Sequence, residues 1–210
     1  MTELTGNAGG RLWQWLHEYS ELGHCLTLSR GLTADDVMRA YDVDPATAAA
    51  VTIEGAYEIE PEDDDESDAE GSVVRFGHSR GWGFSVEQLG SAGGYDPVLS
   101  RLSAGTETVA LTYTGDGMTW VTHSRDGVLL SSFEPLMPSL VRHGTGPHEL
   151  ADLVQAFMDA QGGEWDLDGG PSPDRIMLGL VEERFGCCPS PTVLDGRLPT
   201  AYVRDEEPWS

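Results

Sequence analysis

Two periodicities divide this chain. Near its start Leu12, Trp13, Leu16, Tyr19 and Leu22 recur every three to four residues, the spacing of one helix face, and Gly23 supplies a stop. The alternation of Cys25 to Ser29 then reads as a strand. After the turn at Arg30-Gly31, Thr33 stands three residues before Asp36, the pattern of a capping box, and Asp35 and Asp36 suit the positive end of a helix dipole. A short helix through Tyr41 follows, and the pattern allows another after Pro45.

Beyond residue 71 the period changes to two. Residues 72–78 (SVVRFGH) and 82–89 (WGFSVEQL) read as strands joined at Ser79-Arg80-Gly81. Three more strands are predicted at 107–114, 118–124 and 128–133, with turns at Gly115-Asp116-Gly117 and Asp126-Gly127. The second of these turns is a dipeptide whose positive φ angles match the twist of a hairpin. Pro97 to Leu102 suits a short helix. From Gly146 the helical period returns, with Leu150, Leu153, Val154, Phe157 and Met158 on one face of His148 to Ala160. Ser172-Pro173-Asp174 then offers a serine cap and a proline at the first helical position, opening a helix that runs to Phe185 and stops at Gly186.

Strands linked by short hairpins, with helices segregated to the two ends, predict an α+β fold. We expect a mainly antiparallel sheet of about five to six strands, with the N- and C-terminal helices packed on it. Residues 1–57 and 72–188 form a single domain in this reading, interrupted by an acidic flexible loop at 58–71 and followed by an irregular tail at 189–210. Within Glu58 to Glu70, nine of thirteen residues are acidic, and such density of like charge leaves nothing apolar to bury.

Charge narrows the function further. The chain has 36 acidic residues against 12 basic ones, all arginine, for a formal charge of −24. Setting aside 58–70 still leaves 27 acids against 12 arginines, so the folded body is itself acidic. Lacking lysine, the chain has no Walker-type phosphate loop, no pyridoxal Schiff base and no catalytic lysine of the kinase kind. The negative balance argues against direct contact with nucleic acid or anionic membranes, and leaves basic proteins and cationic ligands open. Met1 to Arg11 shows no basic-then-apolar leader, and no apolar run approaches a membrane span. With only Cys25 and the vicinal pair Cys187-Cys188, the expectation is a cytoplasmic protein with reduced, buried thiols.

Several stretches, in order, carry a family likeness: LTLSRGLTADDVMRAYDVDP, RFGHSRGWGFSVEQLG, LSRLSAGTETVALTY, DGVLLSSFEPLMP, GTGPHELADLV and LVEERFGCCPSPTVLDG. Together they resemble domain of unknown function family 6461, found mostly in Streptomyces-like actinobacteria, although the acidic run is longer than is usual there. The resemblance implies no activity, cofactor or catalytic residue.

The residues with most chemical capacity flank the hairpins. His78, Arg80 and Trp82, with Glu87, surround the first, and His123, Arg125 and Asp126 end a strand of another. If the two groups meet, they offer an acid, a base and an anion clamp. If they do not, Trp82 anchors the core, Glu87 pairs with an arginine across the sheet and Arg80 faces solvent. No metal site is expected: His143, His148 and Glu149 lack zinc spacing, and Asp166 to Gly170 lacks the remaining ligands of a calcium loop. Gly90-Ser91-Ala92-Gly93-Gly94 matches neither a hydrolase elbow nor a dinucleotide fingerprint. Trp13 and Trp15, two apart on a helix, point to different faces, and Trp120 is expected in the core.

The leading expectation is therefore a non-catalytic interaction protein of binding, immunity or accessory type, docking a basic partner and requiring no cofactor. A small-ligand-binding protein or enzyme using the His/Arg/Glu cluster is the alternative, and a nucleic-acid mimic is the third.

Overall fold

The computed structural model describes residues 8–19, 22–59, 71–115, 118–160 and 173–204. In chain order the elements are α1 (Ala8–Tyr19), β1 (Gly23–Arg30), α2 (Ala34–Ala40), β2 (Ala49–Val51), α3 (Ile53–Ala56), β3 (Gly71–Ser79), β4 (Trp82–Gln88) and a single 3₁₀ turn (Ala92–Gly94). Then come α4 (Val98–Ser103), β5 (Glu107–Thr114), β6 (Thr119–Arg125), β7 (Val128–Phe133), β8 (Arg142–His143), α5 (Glu149–Ala160), α6 (Pro173–Phe185), α7 (Pro191–Leu194) and β9 (Leu198–Arg204).

The strands form one antiparallel sheet in the order β2-β9-β3-β4-β1-β5-β6-β7-β8. The fold is thus α+β, with nine strands among the described residues rather than the five to six expected. Two of the additions, β2 and β8, are three and two residues long, too short to show a period. The third overturns the irregular tail. Leu198–Arg204 pairs with β3 on one side and β2 on the other, but Pro199 and a broken burial alternation hide it in the sequence.

Local signals account for much of the rest. The capping box forms: the Asp36 amide donates to Thr33 Oγ1 at 3.2 Å and the Thr33 amide donates to Asp36 Oδ2 at 3.0 Å. Arg80 and Gly81 have φ of 55° and 83°, and Asp126 and Gly127 have 54° and 75°, the left-handed pairs that tight hairpins need. No helix follows Pro45; the segment turns instead, with the Thr47 amide donating to the Asp44 carbonyl at 3.0 Å, and leads into β2. The first helix ends at Tyr19, and Leu22 is exposed in a turn. The expectations for the acidic run at 60–70, the Asp116-Gly117 turn, Asp166 to Gly170 and the Ser172 cap lie outside the described residues.

Helices cover both faces of the sheet. On the first, Leu26, Leu28, Phe84, Val86, Val109, Leu111, Val121 and Phe133 meet α1, α5 and α6. α6 is buried on most sides through Ile176, Met177, Leu178, Leu180 and Val181, which is why its sequence shows no clean stripe. α1 crosses it closely: a Cβ on Gly9 would stand 2.1 Å from the Leu178 carbonyl oxygen. On the second face Val74, Phe76 and Val203 pack beneath Val37, Met38, Tyr41, Val98 and Leu102. That face also carries a buried polar stripe of Thr27, Ser29, Ser85, Glu87, Thr108 and Thr112.

Candidate functional site

Strand register decides which of the expected site residues meet. Arg30 pairs with Trp82, Glu107 with Arg125, and Val109 with His123, so Arg30, Trp82, Glu107, His123 and Arg125 all stand on the first face at one end of the sheet. The Glu107 carboxylate is their centre. Its Oε1 accepts from His123 Nε2 at 3.0 Å and from Arg125 Nη2 at 2.6 Å, and its Oε2 accepts from Arg30 Nη2 at 2.9 Å. Burial pushes this carboxyl up, but the hydrogen bonds and charges of Arg125 and His123 outweigh it and hold Glu107 below the usual carboxylate range.

Phe185 of α6 closes the group from above, its ring 5.8 Å from Trp82 and 6.0 Å from His123. The Arg30 guanidinium lies 4.8 Å over the Trp82 ring. One turn earlier on α6, Glu182 accepts from Arg80 Nη1 at 2.5 Å and from the Cys188 amide at 2.9 Å. Arg184 pairs with Glu149 at 3.2 Å. Four expected site residues therefore lie at this end of the sheet: Trp82 and His123 flank Phe185, Arg125 joins them through Glu107, and Arg80 is held by Glu182. Two are not among them.

Glu87 and His78 belong to the opposite face. Glu87 is fully buried and pairs with no arginine; it accepts from the amides of Ala92 and Gly93 and from Tyr41 Oη, each at 2.8 Å. Burial pushes its carboxyl above the ordinary value, and these donors pull it only part of the way back. Its work is local, fastening the 3₁₀ turn to the sheet, and a Cβ on Gly93 would fall 2.1 Å from Tyr41 Oη. His78 stands exposed at the end of β3. This split was legible, because Trp82 and Glu87 are five apart on one strand and an odd spacing puts two side chains on opposite faces.

Chemically, the assembled group satisfies itself, with one carboxylate shared between two arginines and a histidine. An ionised carboxylate that already accepts three hydrogen bonds has little basicity to offer, and His123 is fully buried with Nε2 engaged. Arg30 and Arg125 keep about half their side chains in solvent, but both point at Glu107. Arg80 faces solvent over about half of its side chain, as expected, and also pairs with Glu182.

Other candidates resolve into structure. Cys25, Cys187 and Cys188 are free and buried. His148 Nδ1 lies 2.9 Å from Ser131 Oγ. Among the described residues no His, Cys, Asp and Glu side chains group so as to hold a metal ion, and no helix is long and apolar enough to cross a membrane. Trp120 is half-buried beside the exposed His143, not in the core, because β6 lies near the sheet edge and β8 is short. Trp15 is buried and donates its indole N–H to Asp195 at 2.7 Å, while Trp13 is half-buried against His17 and Arg175.

Two clefts lie away from this group. One, of about 510 Å³, is walled by Trp15, Tyr19, Ile53 and Tyr57. The other, of about 590 Å³, runs beside β9 and is walled by Asp42, Val43, Asp44 and Ile59. The sequence missed the second because β9 itself was missed. No curated protein and no solved structure matches this chain. A family model does match, over residues 11–174, and the chain belongs to that family, the family of unknown function DUF6461.

Proposed function

We propose that this protein is a non-catalytic binding protein that docks a basic partner protein through its acidic side. The observation that carries this is the distribution of charge. Residues 35–70 hold 14 acidic residues against one arginine, more than half of the net −24. Within the described part of that stretch Asp35, Asp36, Asp42, Asp44, Glu54 and Glu58 are all exposed. The arginines around Phe185, by contrast, are tied to Glu107, Glu182 and Glu149. A field of one sign speeds encounter with an oppositely charged surface, and a few apolar contacts then supply residence time. Capture from a host lysate on the immobilised full chain tests this, at low and moderate salt. A basic protein retained at low salt and released as salt rises is the expected result; recovery of no partner, or recovery indifferent to salt, refutes it.

A second reading, ligand binding at Arg80, Trp82, His123 and Arg125, is favoured by their common place at one end of the sheet, where Trp82 and His123 flank Phe185. It requires an anion able to compete with Glu107. A melting-temperature screen with small carboxylates and phosphates would reveal it as a rise abolished by Arg125→Gln.

A further inference from the structure

We propose that the outer edge of β9, from Ala201 to Val203, receives an extended arginine- or lysine-bearing segment of the partner, which joins the sheet as an added strand; this rests on the reading that the partner is basic. β3 covers the inner edge of β9 from Thr200 to Arg204, but β2 covers the outer edge only from Leu198 to Thr200. Beyond that point, among the described residues, no strand lies alongside. β2 is cut short because the chain entering it turns away: the amides of Ala46 and Thr47 donate to Asp44 Oδ1 and to the Asp44 carbonyl, each at 3.0 Å. The row that β2 begins is therefore left open, and the cleft of about 590 Å³ occupies the place where it would continue.

An open edge offers backbone donors and acceptors to any extended chain, and side chains around it decide which chain is accepted. Here the walls are Asp42, Val43, Asp44 and Ile59, with Arg204 at the end of β9, so two carboxylates stand against one guanidinium. Asp42 keeps 70% of its side chain exposed even while paired with Arg101 at 3.1 Å, and Asp44 is exposed. A second copy of this chain, with its charge of −24, is repelled from such an edge, whereas a cationic strand is drawn to it. Because successive side chains of a strand point to opposite sides, a segment with basic residues at every second position can turn all of them toward the side of Asp42 and Asp44.

The test uses the full chain and an end-capped octapeptide of alternating arginine and valine, read by fluorescence anisotropy and by amide hydrogen exchange. The expected result is binding that slows exchange within Ala201–Val203. It should weaken roughly tenfold in Asp42→Asn/Asp44→Asn, and be lost when alternate peptide amides of the pairing register are N-methylated. The asparagine variants keep the Oδ1 acceptor that Ala46 uses, so an unchanged melting curve checks that the turn survives. No binding, binding without slowed exchange at Ala201–Val203, or equal binding of peptides N-methylated in both registers overturns the edge site. A basic protein captured in a salt-dependent way, and captured equally by Asp42→Asn/Asp44→Asn, would remove this site while leaving the function proposed above intact.

Discussion

Arg75 is the residue whose loss should tell most about how this fold holds its last strand. It is fully buried on the first face of β3, and burial lowers its pKa from the usual arginine value. Its guanidinium donates to the carbonyls of Leu194 at 2.7 Å, Gly196 at 2.8 Å and Val51 at 3.4 Å. Those carbonyls come from α7, from the turn before β9 and from the end of β2, so one side chain ties together the elements that frame the open edge. Arg75→Met keeps the aliphatic stem and removes the donors. The two short charge-assisted bonds are worth about 1.5–3 kcal/mol each, and relief from burying a cation returns several kcal/mol at most. The buried Leu194 carbonyl then adds its own unsatisfied cost, which leaves a net destabilisation of about 2–4 kcal/mol. Urea unfolding followed by tryptophan fluorescence measures the total, and hydrogen exchange of Leu198–Arg204 measures its location. A loss under about 1 kcal/mol, or β9 exchange unchanged relative to β1, would refute the view that Arg75 anchors this edge.

Three other perturbations follow from named contacts. Glu107→Gln should cost about 1–3 kcal/mol at neutral pH, since three donors lose a charged acceptor. Because the folded-state carboxyl is held below its ordinary value, its stabilisation is present above that value and lost as pH falls through the lowered one; the penalty of Glu107→Gln should therefore be smaller near pH 4 than at pH 7, and an equal penalty at both would refute the assignment. Gly9→Ala should destabilise by about 1–3 kcal/mol through collision with the Leu178 carbonyl, read as a lower melting temperature, and an unchanged melt would mean that α1 and α6 do not cross as closely as described. Cys25 and Cys188 are both held above the ordinary thiol range, Cys25 chiefly by burial and Cys188 by its hydrogen bond to Cys187 together with burial. An aromatic disulfide reagent should therefore label no cysteine in the native protein and all three in urea, and fast labelling of native protein would refute this burial.

Much of the fold was written into local sequence. The capping box at Thr33, the Asp126-Gly127 hairpin and the alternation of β3 through β7 each depend on residues within a few positions of one another, and each formed as read. The polar group was legible only in part. Trp82 and His123 flank Phe185 with Arg80 and Arg125 nearby, but nothing local marks Glu107 as the acceptor shared by Arg30, His123 and Arg125. Its partner Arg30 sits 77 residues away in the chain. Glu87 departs from expectation for a different reason: its partners are Tyr41 and the backbone amides of Ala92 and Gly93, which composition does not advertise.

The sequence by itself determined the class of fold, the sign of the charge and the turns at Arg80-Gly81 and Asp126-Gly127, because propensity, period and formal charge act over short stretches of chain. Tertiary structure alone decided that the final residues become a strand between β2 and β3, that Arg75 spends its donors on carbonyls from three separate segments, and that one edge stays open beside Asp42 and Asp44. These outcomes depend on which distant backbones come within about 5 Å of one another, the spacing of neighbouring strands, and that is set by packing of the whole sheet rather than by any one segment.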